Sequence, residues 1–403
     1  MDGSDEASSQ EKTTNHAGLA AATEKERSIL EACRWRDLEA LRAFAESPGG
    51  FLTDRIRQHA WPVLLGLPPS HGNGSVDSGV EEGETGSWKE LPRHRDEDQV
   101  QLDVNRAFIY YPENQNEAEL ARQKDELSAL ILEVLRRHPY LCYFQGYHDI
   151  CQVFLLVLPP AVRTPAVARL SALRIRDFML PSLTPAVRQL RLIPDILRAA
   201  DPQLWRHLSA TEPFFALAGM LTMYAHDITT LGEISRLFDV LLAREPVFSV
   251  YMFAAIVRSR RAELFETPQD EPEMLHSILC KLPRPLDLES LITAACALLN
   301  AYPPESLAAW RTISHASVLR TARVPDACAT QSMADGQVFF ERQVAELRWL
   351  ERRDKIMEVL WRYRRPARSL GFAVLIGVAA LLLRKHPGPA AYVSGLVSRW
   401  VRL

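Results

Sequence analysis

No basic excess marks this sequence: 47 Lys and Arg stand against 50 Asp and Glu in 403 residues, a formal charge of −3. Nucleic-acid-binding chains usually concentrate positive charge, so nucleic acid is set aside as a partner. The six cysteines, Cys33, Cys142, Cys151, Cys280, Cys296 and Cys328, form no C-x-x-C pair. Neither a disulfide framework nor a zinc site is expected, and they read as buried free thiols in a reducing compartment. His138, His148 and His226 come with no H-E-x-x-H spacing and no Ser or Cys nucleophile constellation, and are read as structural. The opening segment MDGSDEASSQEKTTNHAG lacks the apolar core of a secretory signal, which leaves the bulk of the protein in the cytosol. Period-two alternation is nearly missing, and no repeat recurs at a fixed period.

What is present points to helices. Hydrophobic residues make up 47% of the chain, ample for a packed core. From Glu117 onward they recur at helical spacing, as in Leu120, Leu127, Leu130, Ile131, Val134 and Leu135. Prolines such as Pro159-Pro160, Pro181, Pro185, Pro283, Pro285 and Pro303-Pro304 cut this pattern into helices of ordinary length, and the fold class is all-α. Residues 1–22 are too polar to order themselves. Thr23 with Glu26 reads as a capping box opening a helix through Ile29, Leu30, Cys33, Leu38, Leu41 and Phe44. The Gly-, Ser- and acid-rich stretch 68–87 reads as a mobile loop inside a domain spanning 23–318. Residues 319–365 form a linker and a long charged amphipathic helix from Gln337 to Arg365. Residues 366–403 hold an apolar run and a short tail. A shorter apolar stretch, Val247 to Val257, reads as core.

Two helix-like segments carry the polar groups of most interest. In Val100-Gln101-Leu102-Asp103-Val104-Asn105-Arg106, Asp103 and Arg106 are spaced i to i+3, so the acid can hold the arginine on one helix face. Tyr143-Phe144-Gln145-Gly146 follows a helix ended by His138-Pro139 and places Gln145 at a helix start. Arg57-Gln58-His59-Ala60-Trp61-Pro62-Val63-Leu64-Leu65-Gly66 precedes these, with Trp61 read as core and Arg57 as a buttress. Arg236-Leu237-Phe238-Asp239 follows them, and its i to i+3 pair is assigned to structure.

Through four ordered motifs, R-x-x-x-W-P-x-L-L-G, V-x-x-D-V-x-R, Y-x-Q-G and R-x-x-D, the sequence resembles the TBC-domain family of Rab GTPase-activating proteins, over roughly Phe51 to Val318. The stretches Gln145-Gly146-Tyr147-His148-Asp149-Ile150-Cys151 and Tyr224-Ala225-His226-Asp227-Ile228, with the C-terminal apolar run, look like the endoplasmic-reticulum-anchored branch acting on the Rab of early secretory traffic. Val100 stands where the family often has Ile, Ala107 where it often has Thr, and Met223-Tyr224 where it commonly has Trp-Phe. The acidic loop before Trp88 is atypical in length.

The resemblance implies a GTP-bound Rab as partner, with GTP and Mg2+ held by that partner and no cofactor in this chain. Arg106 would be the catalytic arginine finger and Gln145 a glutamine standing in for the GTPase's own. Asp103, Tyr143 and Gly146 would support them, and Asp149 would support the site or touch the partner. No hydrolase activity of the chain's own is expected. Two other readings remain open: a Rab-binding scaffold without activity, and a membrane-shaping or tethering protein.

The run Leu370 to Leu383 is uninterrupted by polar residues. As a helix its fourteen residues span about 21 Å, and the interval from Arg368 to Lys385 about 27 Å, near the thickness of the endoplasmic reticulum bilayer. Arg362, Arg364, Arg365 and Arg368 favour its N-terminal side in the cytosol. A membrane-anchor helix, as a single span or a re-entrant hairpin, is the expectation, placing the protein on the endoplasmic reticulum with its catalytic domain facing the cytosol.

Overall fold

Proline and polar caps divide the chain as the composition suggests. The computed structural model describes residues 21–68, 87–112, 115–324 and 326–385, and all regular elements among them are helical. Helix α1 (21–35) is followed by α2 (Leu38–Glu46), α3 (Asp54–Leu64), α4 (Glu97–Val104), α5 (Glu117–Arg137), α6 (Tyr147–Val157) and α7 (Pro160–Leu173). Four short helices come next: α8 (Thr184–Leu190), α9 (Leu192–Ala200), α10 (Pro202–His207) and α11 (Leu217–Leu221). Then follow α12 (Leu231–Ala243), α13 (Phe248–Ser259), α14 (Arg261–Glu266), α15 (Pro272–Leu279), α16 (Leu288–Ala301), α17 (Val318–Thr321), α18 (Ala327–Thr330) and α19 (Met333–Lys385). Up to Val344 the described residues form one compact unit, and from Ala345 a second.

Helices α6, α12 and α13 build the centre of the first unit. Ten consecutive residues of α12, Ile234 to Ala243, are buried, and it packs against α2, α3, α6 and α16. Helix α13 lies against α9 and α16 and buries Phe248 and everything from Val250 to Val257, so the Val247–Val257 stretch is core as expected. Trp61 is fully buried, with ring centroids 5.5 Å from Phe154 and 5.9 Å from Phe238. At such a site, truncating Trp61 to Ala costs about 3–5 kcal/mol.

Several expectations need correction. The single helix drawn from Thr23 through Phe44 is two. Arg36 adopts a left-handed φ of 53°, and Asp37 caps α2 by accepting from the Ala40 amide at 2.9 Å. Residues 21 and 22 are already helical, so Thr23 lies inside α1 and does not cap it. The expectations for residues 1–20 and 69–86 fall outside the described residues. All six cysteines are free, but only Cys151 and Cys328 are buried and Cys280 is exposed. The last long helix starts at Met333, ahead of the expected Gln337, and continues through the apolar run to Lys385. Among the described residues no helix is long and apolar enough to cross a membrane.

Candidate functional site

The second motif lies across the end of α4. Asp103 occupies the last turn and is fully buried, while Arg106 follows the C-cap Asn105 and its side chain is 62% exposed. The i to i+3 spacing does what it promised: Arg106 Nη2 donates to Asp103 Oδ1. Gln99, one turn earlier, donates its side-chain amide to the same oxygen at 3.1 Å. A buried carboxylate requires such partners, and here they also fix the direction of the guanidinium.

The third motif is a loop and not a helical segment; α6 begins only at Tyr147. Gly146 sits at its N-cap with a left-handed φ of 100°, and a Cβ there would stand 2.6 Å from Thr222 Cγ2. Both the conformation and the close approach therefore require glycine. Gln145, just before it, is exposed and its amide has no hydrogen-bond partner among the described residues. Arg106 and Gln145 thus both project from helix ends.

The structure joins these two ends. Tyr143 donates its hydroxyl to Asp103 Oδ2 at 2.9 Å and its backbone amide to Asp96 Oδ2 at 2.9 Å. Asp96 is the N-cap of α4 but commits its carboxylate to the loop instead of to its own helix. His94 Nε2 meets the Leu141 carbonyl at 3.0 Å, and Arg136 forks onto Glu97 at 2.7 and 2.9 Å, tying the end of α5 to the start of α4. The Arg136 bonds hold the Glu97 carboxyl below its ordinary range. Burial first, and then the Asp103 charge, raises the Tyr143 phenol far above its ordinary value, so it stays protonated and donates.

A third cluster borders the site. Asp149, in the first turn of α6, faces His148 Nε2 at 3.2 Å and His226 Nδ1 at 3.1 Å. The Asp149 bond raises the His226 pKa, whereas burial lowers that of His148. Beyond Arg106, the Phe108 amide donates to Gln152 Oε1 at 3.0 Å, holding a residue with left-handed φ of 64°. Gln152 in turn donates to the Tyr111 carbonyl. Leu102, Ile109 and Tyr110, near Arg106 in sequence, are exposed.

The remaining motif residues are structural, but not paired as expected. Arg236 does not bridge to Asp239. It forks onto Glu289 at 2.8 and 2.9 Å and donates to the carbonyls of Ala45 and Ser47. Asp239 instead receives Arg57 Nε at 2.9 Å and Nη2 at 3.0 Å, the Trp61 indole at 2.9 Å and the Phe51 amide at 3.0 Å. Arg57 and Trp61 are therefore a buttress and a core residue, joined to the R-x-x-D motif by one carboxylate. Asp96, Gln99 and Gln152 escaped the sequence reading. Only Gln99 carried a signal, its i to i+4 spacing to Asp103.

Residues 54–265 match the Rab-GTPase-TBC domain. The chain is 34% identical over 316 residues to the GTPase-activating protein gyp10 of Schizosaccharomyces pombe, covering 77% of this chain and 81% of that one. It is 33% identical over 279 residues to TBC1 domain family member 20 of Homo sapiens, covering 68% of this chain and 65% of that one's length. Its fold is similar to the crystal structure of the Ypt/Rab-GAP domain of Gyp1p, with a TM-score of 0.52, 18% identity, and coverage of 66% of this chain and 93% of that one. A domain match over more than half the chain and an all-helical fold agree with the four motifs: the protein belongs to the TBC family of Rab GTPase-activating proteins.

Proposed function

We propose that this protein accelerates GTP hydrolysis by a Rab of early secretory traffic, supplying Arg106 and Gln145 in trans. The observation that carries the reading is the Asp103–Tyr143 hydrogen bond, which ties the arginine's anchor to the loop of an exposed glutamine. Hydrolysis spreads charge over the γ-phosphoryl oxygens, and a permanent, planar guanidinium suits them. A neutral amide donates and accepts at once, which orienting a water demands. GTP and Mg2+ belong to the partner. Asp103 and Tyr143 hold the arginine and the loop, Gly146 gives the loop its turn, and Asp149 with His226 borders the same face.

The run 370–383 would anchor the chain to the endoplasmic reticulum, leaving the helical domain in the cytosol. Its length and basic flanks support this, as does the exposure of Val374, Leu375, Ile376, Val378 and Leu381, which a core helix would bury.

Single-turnover hydrolysis by a panel of GTP-loaded Rabs, with the wild type and the Arg106→Ala and Gln145→Ala variants, tests the catalytic reading. Acceleration of one Rab that both substitutions abolish is expected; binding without acceleration would move the protein to the scaffold class. Retention of the full chain in membranes after carbonate extraction, and release of a chain ending at Arg365, tests the anchor.

A further inference from the structure

We infer that the first turns of α19 position the glutamine loop, with Phe340 and Gln343 acting on Gln145 through residues 140–144. This rests on the role proposed for Gln145. Both residues lie beyond the stretch 54–265 that matches the family, yet both are buried in the body, at 5% and 2% exposure.

Two routes lead from α19 to the loop. The first is direct: the Phe340 ring meets Tyr140 edge-on with centroids 5.1 Å apart. Tyr140's buried hydroxyl finds no hydrogen-bond partner among the described residues, and its ring meets Phe340 and His138. The second runs through the segment 176–179. Gln343 accepts from Arg176 Nε at 3.1 Å and donates to Asp177 Oδ1 at 2.8 Å, satisfying two fully buried charged residues. The next residue, Phe178, packs edge-on against Phe144 at 6.1 Å, and the Met179 carbonyl accepts from the Cys142 amide at 2.9 Å.

Residues 140, 142 and 144 are therefore gripped in alternation, immediately before the exposed Gln145. Helix α19 is seated for this task with little tolerance. A Cβ on Gly336 would come within 3.0 Å of Ala172 Cβ, so its first turn rests directly on the end of α7. Arg176, whose guanidinium also lies 5.2 Å from the Phe339 ring centroid, donates to the carbonyls of Ala172 and Ala316 at 2.6 and 2.7 Å. Asp177 accepts from Gln189 at 2.7 Å and from the Val318 amide at 3.1 Å. This fully partnered network has one arrangement, and a loop held by it inherits that rigidity.

The test uses the full chain and the Rab it accelerates most. Phe340→Ala, and Phe340→Leu as a milder change that keeps most of the volume, are combined with Gln145→Ala in a double-mutant cycle. Phe340→Ala is expected to slow single-turnover hydrolysis about 10- to 100-fold with the affinity for GTP-loaded Rab unchanged. In the Gln145→Ala background, followed at enzyme concentrations high enough to measure any stimulation Arg106 still supplies, it should slow hydrolysis no further, because both act through one group. Phe340→Tyr should restore the rate. Amide exchange in residues 140–145 should quicken in Phe340→Leu while that of α3 stays as it was. An equal loss in both backgrounds, or a full rate in Phe340→Ala when Gln145→Ala is inactive, overturns the inference alone. A full rate in Gln145→Ala, or a panel with no accelerated Rab, removes the role of Gln145 and the inference with it.

Discussion

The Tyr143 hydroxyl donates to Asp103 Oδ2 over 2.9 Å while Asp103 Oδ1 receives Arg106, so one buried carboxylate links the arginine and the glutamine loop. Tyr143→Phe removes a hydrogen bond to a charged group, worth about 1.5–3 kcal/mol. The variant should unfold at lower urea concentration and should also slow Rab-stimulated hydrolysis. A loss of stability with hydrolysis untouched would separate the carboxylate from the chemistry.

Arg106→Lys should fail almost as badly as Arg106→Ala. A lysine ammonium is a single point of charge and cannot stay on Asp103 while also spanning phosphate oxygens, as a planar fork can. Since an arginine finger contributes about 10³ to 10⁵ in rate, single-turnover measurements should place Lys within about tenfold of Ala, a difference of about 1.4 kcal/mol in barrier. A lysine variant near wild-type speed would show that charge alone suffices.

Asp239→Ala should be among the most destabilising single changes, by about 3–5 kcal/mol, because it leaves buried Arg57 with only the exposed Asp54, 2.8 Å from its Nη1, as counter-charge and removes the acceptor of the Trp61 indole. Glu289→Ala, whose carboxylate is 45% exposed and pairs with Arg236, should cost clearly less. Urea unfolding of the two variants side by side checks the order.

Gly146→Ala combines a left-handed backbone with a collision on Thr222 Cγ2. It should lower both stability and hydrolysis, the backbone part alone costing about 1–2 kcal/mol. Thr222→Ser removes the colliding methyl and should restore part of the loss but not all of it. Complete restoration would show that only the contact mattered.

His226 and His148 face opposite oxygens of Asp149, with pKa shifts of opposite sign. The stabilising link of His226 to Asp149 is fully present below the ordinary value of 6.5 and fades as pH rises through the raised one. His148, lowered by burial, contributes in the other sense: its neutral form favours the fold above 6.5, and that contribution is lost as pH falls through its lowered value. Neighbouring Asp227, its carboxyl raised by burial, adds a weaker pull on His226. In Asp149→Asn the His226 titration followed by NMR should move down towards 6.5; an unmoved midpoint would remove Asp149 as its cause.

Local patterns were legible where one helix turn decided the outcome. The Asp103–Arg106 pair follows from spacing of one helix turn, and the core character of α13 from the shortness of its apolar run and the charged Arg244 and Glu245 beside it. The same rule misjudged Arg236 and Asp239, because α12 is buried on all sides and each side chain finds its partner on another element. Arg57, 182 residues away in sequence, takes Asp239, and no spacing rule contains that number. Asp96 and Gln152 were silent for the same reason, since each acts on a loop brought to it by packing. The break at Arg36 was missed because apolar residues resume at Leu38, Leu41 and Phe44 just beyond it.

Arg106 reaches solvent with one nitrogen of its fork already held. A free arginine side chain carries about 2 kcal/mol of rotamer entropy that must be surrendered when it is fixed against a phosphate. Here the anchor on Asp103 engages Nη2 alone, so part of that entropy is lost during folding while other N–H groups of the fork stay unengaged. That part of the ordering cost thus falls on the stability of the domain and not on its encounter with a GTPase.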